Sequence, residues 1–192
     1  MTTPAARFEP RKPGLLMPLG VRIGAISWMP KLLPQIVWTD KLLQRVTRGR
    51  LTILDIAGLP NMMLTTTGRK SGVKRSNPLL CVPDGDRILI AGSYFGGPKE
   101  PLWVKNLEAN PEVTVRFRNE TIDAVARQLV DVERAAAWPT MVGTWPNFAR
   151  YEQRTHRQIK VFELRPTREQ GAPGASPRHR AVPGSEETSQ VS

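Results

Sequence analysis

Between Met62 and Val82 the chain reads MMLTTTGRKSGVKRSNPLLCV, and the middle of this stretch has the residue types needed to hold an anion. Arg69, Lys70, Lys74 and Arg75 crowd together, and no acid stands anywhere from Asn61 to Val82. Like charges so close repel one another, and a fold tolerates them where water screens them or where an anion binds. Thr65, Thr66, Thr67 and Ser71 add compact hydroxyl donors, while Gly68 and Gly72 permit turns that aim backbone N–H groups inward. Arginine contributes a fork matched to phosphate oxygens. A solvated basic hairpin tip is the alternative at this point. Two other phosphate binders do not fit the pattern. A P-loop needs glycine directly before Lys-Ser and a helix after it, whereas Arg69 precedes Lys70 and β-favouring sequence follows. A dinucleotide fold needs G-x-G-x-x-G opening a helix, and the chain has none.

Further along, polar and aromatic side chains gather in three places. Gly92 to Pro101, GSYFGGPKEP, is a glycine-rich loop carrying Ser93 and Tyr94, the kind of loop on which sites are commonly built. Trp103 and Asn106 stand three apart and share a helix face with Leu107; a Trp packed in the core is the plain alternative. Phe148 and Tyr151 fall three apart on another helix that follows Trp145-Pro146, and the three aromatics form either one wall of a pocket or an ordinary buried face. Cys81, the sole cysteine, sits in an apolar run and reads as a small buried hydrophobe, and His156 has no partner at metal spacing, so no metal site is expected.

The elements that must carry these residues follow from pattern. Leu64 to Thr67 and Leu79 to Val82 read as strands flanking a tight loop, and Pro83-Asp84-Gly85-Asp86 turns the chain into a strand over Arg87 to Ala91. Pro101 opens a helix that Asn110-Pro111 ends. Val113, Val115 and Phe117 alternate with polar residues, and Asn119-Glu120 turns that strand back into Ile122 to Val130. Asp131 is the expected cap of a helix reaching Trp138-Pro139, Asn147 to His156 forms a second helix, and a final strand ends at Leu164. A further short helix is expected between Asp40 and Gly49, while Leu51 to Ala57 is ambiguous.

The 192 residues, with 40% hydrophobic and 23% charged, suit one globular domain with tails. The net charge of +11 is uneven: residues 1 to 60 hold 9 Lys/Arg against 3 Asp/Glu, so that nearly all the excess lies before Pro83. That asymmetry points to an acidic partner of the N-terminal part. Met1 to Gly14 reads as a mobile arm. Leu15 to Trp38 is strongly apolar, yet Arg22, Lys31, Pro18, Pro30 and Pro34 interrupt it, so it falls short of a spanning helix. It is either an apolar cover over the core or active site, or a segment lying in a membrane interface. From Arg165 the chain is rich in Pro, Gly and Ser and is expected to be disordered.

The ordered motifs LTTTGRKSGxxRxNPL (Leu64 to Leu79), DGDRILIAGS (Asp84 to Ser93), PLWVKNLEANPEVTV (Pro101 to Val115), DxER…WP (Asp131 to Pro139) and YxxRTxRxIxVFEL (Tyr151 to Leu164) resemble the deazaflavin-dependent nitroreductase family. The resemblance covers roughly residues 40 to 165. It implies a mainly β fold with flanking helices, an antiparallel split β-barrel akin to the FMN-binding split barrels. It also implies coenzyme F420, an 8-hydroxy-5-deazaflavin, as hydride carrier, with FMN as the runner-up. By similarity, phosphate and tail contacts fall on Arg69, Lys70 and Arg75, supported by Thr66, Thr67, Gly68 and Ser71. Asn77, Pro78 and Leu79 approach the pterin-like edge, Trp103 and Asn106 the ring, and Ser93 borders ring and substrate. Relatives that reduce nitro compounds resemble one another in tyrosines along the penultimate helix. This chain has Trp145 and Phe148 there and keeps Tyr151, and Tyr94 stands where a lysine often follows the loop serine.

The expected activity is therefore hydride transfer from reduced deazaflavin to a flat, apolar, electron-poor acceptor such as a quinone, or a nitroaromatic. Tyr151 and Ser93 are the candidate catalytic residues, donating a proton or orienting a carbonyl oxygen, and Tyr94, Trp145, Phe148 and Tyr151 the candidate substrate pocket. Three segments are expected: an N-terminal arm over 1–39, the deazaflavin-binding domain over 40–165 and a tail over 166–192. The expected location is cytoplasmic, peripheral at the inner face of the cell membrane through residues 1–38. Nucleic acid is disfavoured as a partner because aromatics do not interleave with the basic residues, and no obligate protein partner is inferred.

Overall fold

The computed structural model describes Phe8 and residues 17–26, 59–118 and 120–167. The helix expected from Asp40 to Gly49, the ambiguous stretch Leu51 to Ala57 and the tail beyond Thr167 lie outside them. A short helix, α1 (Met17–Gly24), is followed by the strands β1 (Asn61–Thr67), β2 (Lys74–Leu80), β3 (Val82–Asp84) and β4 (Arg87–Ala91). After a single 3₁₀ turn at Tyr94–Gly96 come α2 (Leu102–Ala109), β5 (Glu112–Phe117), β6 (Glu120–Leu129), α3 (Asp131–Thr144), α4 (Asn147–Arg154) and β7 (Val161–Pro166).

The strands form one antiparallel sheet in the order β2-β1-β5-β6-β7-β4-β3. Its two edge strands are consecutive in the chain, with only Cys81 between Leu80 and Val82. Their facing ends are thus within about 7.6 Å of each other along the chain. In a flat sheet, six steps of about 4.8 Å would separate the edges by roughly 29 Å. The sheet therefore curls so that its edges converge at that end, which makes the expected split barrel.

Period-2 alternation supplies two apolar layers. Met62, Leu64, Val113, Val115, Ile122, Ala124, Ile88, Ile90 and Phe162 face one way and pack with Trp103, Val104 and Leu107 of α2. Leu89, Val161, Leu129 and Val82 face the other way, against Ala137 and Met141 of α3 and Trp145, Phe148 and Tyr151 at α4. Cys81 is fully buried, and that burial pushes its thiol pKa up, as befits the expected small hydrophobe.

Four local expectations are corrected. Val130, not Asp131, holds the N-cap position of α3, and Asp131 is its first residue, at φ 44°, where its charge meets the positive end of the helix. The same helix continues through Pro139 to Thr144, because Ala137 and Met141 lie four apart on its buried face and packing outweighs the lost hydrogen bond. β7 runs two residues past Leu164, and Arg165 within it pairs with Asp86 at 2.8 Å. Phe8, in the supposed mobile arm, is buried: its N–H donates to the Gly85 carbonyl at 2.9 Å and its ring meets Phe117 edge-on at 5.8 Å.

Candidate active site

The basic turn occupies the end of the β1–β2 hairpin, whose register pairs Thr66 with Arg75 and Thr67 with Lys74. Lys74 and Arg75 thus lie on β2, and only Arg69 and Lys70 belong to the turn itself, a refinement of the single basic loop that the sequence suggested. The turn is tight: Gly68 N–H donates to the Val73 carbonyl at 2.9 Å and Gly72 N–H to the Gly68 carbonyl at 2.8 Å. Gly72 has φ +66°, where L side chains are strained, and a Cβ on Gly68 would sit 2.7 Å from the Ser71 hydroxyl and 3.1 Å from the Val73 carbonyl oxygen, so the turn leaves little room there.

What locks this turn is α2. The Asn106 carboxamide is buried, accepts the Arg69 backbone N–H at 3.2 Å through Oδ1, and donates to Thr66 Oγ1 at 3.2 Å through Nδ2. One turn later, Asn110 Nδ2 donates to the Thr67 carbonyl at 3.5 Å. The Thr66 hydroxyl and both ends of the Asn106 side chain therefore serve the scaffold beneath the cations. Arg69, Lys70, Lys74 and Arg75 are exposed, and among the described residues none of them makes an ion pair. Beside Arg69 opens a cleft of about 430 Å³ lined also by Glu100, Lys105, Glu108 and Lys160. Lys160 is held there by Glu100 at 3.2 Å and Glu108 at 2.5 Å, so its charge is compensated, while Lys105 makes no ion pair among the described residues.

Asn77, Pro78 and Leu79 are half-buried on β2, an edge strand, the setting in which proline does least harm to a sheet. Trp103 is buried, its ring edge-on to Phe162 at 6.2 Å, so the core-packing alternative describes its contacts. The same helix touches the second gathering point, since a Cβ on Gly92 would meet Val104 Cγ2 at 2.7 Å.

That second point is the loop after β4. Tyr94, Phe95 and Gly96 follow one another at φ 48°, 55° and 78°, a left-handed run that includes two aromatic residues. Ser93 is half-buried, Tyr94 remains 38% exposed, and Phe95 turns inward to meet the Tyr151 ring edge-on at 5.7 Å. Trp145, Phe148 and Tyr151 are all buried, as the alternative of an ordinary apolar face had it, yet Tyr151 carries a polar tip. Burial pushes its pKa up to about 12, so the hydroxyl keeps its proton at neutral pH and donates it to the Gly24 carbonyl at 3.0 Å.

Several residues here escaped sequence reasoning. Asn147 Nδ2 donates to the Val21 carbonyl at 2.8 Å, and Arg154 reaches the carbonyls of Ala25 and of Ile26, the latter at 3.4 Å. These bonds hold the C-terminal end of α1 over Tyr151, where Gly24 has no room for a side chain. Arg157 donates to the carbonyls of Ser93 and Gly97. The two arginines do occur in the RTxR stretch, but nothing in their spacing says which backbone they grip.

A curled antiparallel sheet that carries a basic turn packed on α2, and a strained loop against a buried tyrosine, has the architecture of a split barrel. Residues 39–166 match the family model of F420H(2)-dependent quinone reductase, and the chain belongs to that family. Its members' cofactor is coenzyme F420, and its activity is that of an oxidoreductase. An F420H(2)-dependent quinone reductase of Mycobacterium tuberculosis strain H37Rv is 32% identical over 133 residues, which cover 68% of this chain and 89% of that one. Among solved structures, an F420-H2 dependent reductase is 39% identical with a TM-score of 0.52, covering 55% of this chain and 93% of the other. A structure described as a domain-swapped dimer is 35% identical with a TM-score of 0.53, covering 66% of this chain and 96% of the other. The FMN alternative is not favoured by these similarities.

Proposed function

We propose that the turn and the first residues of β2 hold the anionic part of coenzyme F420, and that the left-handed loop and the Trp145 to Tyr151 segment face a quinone-type acceptor. The observation that carries this is the group of four exposed cations without carboxylate partners among the described residues, set on a hairpin turn that Asn106 locks from below. Such a cluster fits a phosphate and an acidic tail, and Lys105 extends it along the cleft. Arg69, Lys70 and Arg75 neutralise the anion, Thr67, Gly68 and Ser71 line the turn, and Asn77 to Leu79 offer a sheet edge. Thr66, Trp103 and Asn106 act from behind, as supports.

When bound in reduced form, the deazaflavin supplies a hydride. The chain's own part is to orient the acceptor and manage a proton. Tyr94 presents an exposed aromatic face to a flat ring, and the Ser93 hydroxyl is the freer of the two candidate donors. Tyr151 holds its proton firmly, but must leave the Gly24 carbonyl before it can donate elsewhere. Titrating the purified protein with F420 and following cofactor fluorescence tests the first half; no change in the signal would defeat it. Turnover of quinones faster than nitroaromatics with reduced F420 tests the second, and the reverse order would overturn the acceptor class.

We further infer that residues 1–39 form an arm on a catalytic domain running from 40 to about 165, and that this arm meets an anionic membrane surface at the inner face of the cell membrane. No described helix is long and apolar enough to cross a membrane. In support, α1 exposes Leu19, Ile23 and the intervening Arg22 while its other side lies against α4. Replacing Leu19 and Ile23 with Ser leaves the contacts to α4 in place and should abolish flotation with anionic liposomes. Equal recovery of both forms would remove the idea.

A further inference from the structure

The loop from Ser93 to Gly97 adopts a conformation that its own sequence does not favour. Two aromatic residues and a glycine stand in succession at φ 48°, 55° and 78°. L side chains there crowd the following carbonyl, so such a run persists only where surroundings over-determine it. Inside the loop, Gly96 N–H donates to the Ser93 carbonyl and Gly97 N–H to the Tyr94 carbonyl, each at 2.9 Å. From outside, one side chain grips both ends: Arg157 Nη2 donates to the Ser93 carbonyl at 2.8 Å and Nε to the Gly97 carbonyl at 3.2 Å. Thr155 Oγ1 reaches the Gly97 carbonyl at 3.5 Å, a weaker third contact.

A planar guanidinium presents its N–H groups at fixed separations, so two carbonyls bound to one fork are held at a fixed spacing. Gly96 is pressed from the other side, because a Cβ there would lie 2.9 Å from the Tyr151 carbonyl oxygen. The loop is thus clamped between the guanidinium of Arg157 and the backbone of α4. Its exposed product is Tyr94, with Ser93 at its root. Burial pushes the Arg157 pKa down from its ordinary value, though such a group stays charged at neutral pH, and its Nη1 has no hydrogen-bond partner among the described residues.

We propose that Arg157 is a positioning residue for the acceptor: by bridging the Ser93 and Gly97 carbonyls it sustains the left-handed run that presents Ser93 and Tyr94, without itself touching acceptor or cofactor. This rests on the acceptor-side reading of that loop. The test compares wild type with Arg157→Met, Arg157→Lys and Gly96→Ala, the last disturbing the same loop from the α4 side. In cofactor-free protein, exchange of the amides at positions 96 and 97 should speed up by about tenfold or more in Arg157→Met and in Gly96→Ala, and less in Arg157→Lys, which can keep one carbonyl. F420 affinity by fluorescence should stay within about twofold, while KM for menadione, a soluble naphthoquinone, rises by about tenfold in Arg157→Met with partial rescue by lysine. Unchanged amide exchange and unchanged KM in Arg157→Met would overturn the proposal, as would an equal loss in Arg157→Lys and Arg157→Met. Should Arg157→Met fail to fold, Arg157→Lys and Gly96→Ala decide by the same measurements. A wild type that binds no F420 defeats the functional reading instead, and the exchange data still judge the clamp.

Discussion

The Tyr151 hydroxyl donates to the carbonyl of Gly24 at 3.0 Å, across more than a hundred residues of chain. One residue proposed for proton donation is thereby closed off by the end of α1, with Arg154 and Asn147 holding the closure. The glycine is what lets the helix come so near. A Cβ at position 24 would meet Asn147 Nδ2 at 2.7 Å, Trp145 at 2.8 Å and the Tyr151 hydroxyl at 3.0 Å.

Gly24→Ala should therefore destabilise the protein by about 1–3 kcal/mol, the usual cost of forcing extra volume into a packed site. Urea unfolding would show a lower midpoint at an unchanged slope. An unaltered midpoint would mean that α1 does not rest on Tyr151 in solution.

Because burial raises the Tyr151 pKa to about 12, this hydroxyl does not ionise anywhere near neutral pH. Its contribution to turnover should be flat from about pH 6 to pH 10, with any transition in that window assigned to another group. Comparing kcat/KM profiles of wild type and Tyr151→Phe checks this, since a limb that disappears in the variant would contradict it.

Asn106→Ala strips the buried Thr66 hydroxyl and the half-buried Arg69 amide of their partner. The expected loss is about 1–3 kcal/mol of stability. F420 affinity should fall as well, by roughly tenfold, because the turn bearing the cations is no longer locked. Fluorescence titration beside denaturant unfolding separates the two effects, and intact affinity would return Asn106 to a purely structural role.

Removing Lys70 and Arg75 together by alanine should weaken F420 binding by at least about tenfold and flatten its dependence on salt, since charge-assisted contacts carry the attraction. Neither residue has an ion-pair partner among the described residues, so folding should be undisturbed. Unchanged affinity at low salt would move the anion site elsewhere.

Glu163 offers a prediction about stability alone. Its side chain is 2% exposed, and it accepts Arg127 Nε at 2.7 Å, Arg87 Nη1 at 2.9 Å and Arg165 Nε at 3.3 Å. Burial pushes its pKa up, but the three arginines more than offset that and hold it at about 2. A carboxylate whose folded pKa lies below the unfolded value of about 4.3 contributes stability above that value, and loses it as pH falls from there through 2. Glu163→Gln should cost about 3 kcal/mol at neutral pH. The gap between wild type and variant should close below about pH 4 in urea unfolding; a gap independent of pH would show that charge is not what matters at this position.

How far the site was legible before folding differs from residue to residue. Arg69, Lys70, Arg75 and their glycines announced themselves, because an acid-free cluster in a turn is a local property of the chain. Asn106 was visible as a helix residue, but its bonds to Arg69 and Thr66 run 37 and 40 positions back. Phe8 read as part of a loose arm, since nothing nearby in sequence tells that Gly85 and Phe117 receive it.

Alternation, turn residues and an uneven charge are written in neighbours a few positions apart, and from them the strands and the basic turn follow, while the split barrel was implied by the resemblance of the ordered motifs. Proximity between distant segments is not written there. That Gly24 lies on Tyr151, and that Arg157 spans Ser93 and Gly97, depend on a curled sheet bringing its consecutive edge strands together and on helices docking over both of its faces. Those contacts exist only once the chain has closed on itself, so the basic turn belonged to the sequence, while the closed tyrosine and the clamped loop belong to the tertiary structure.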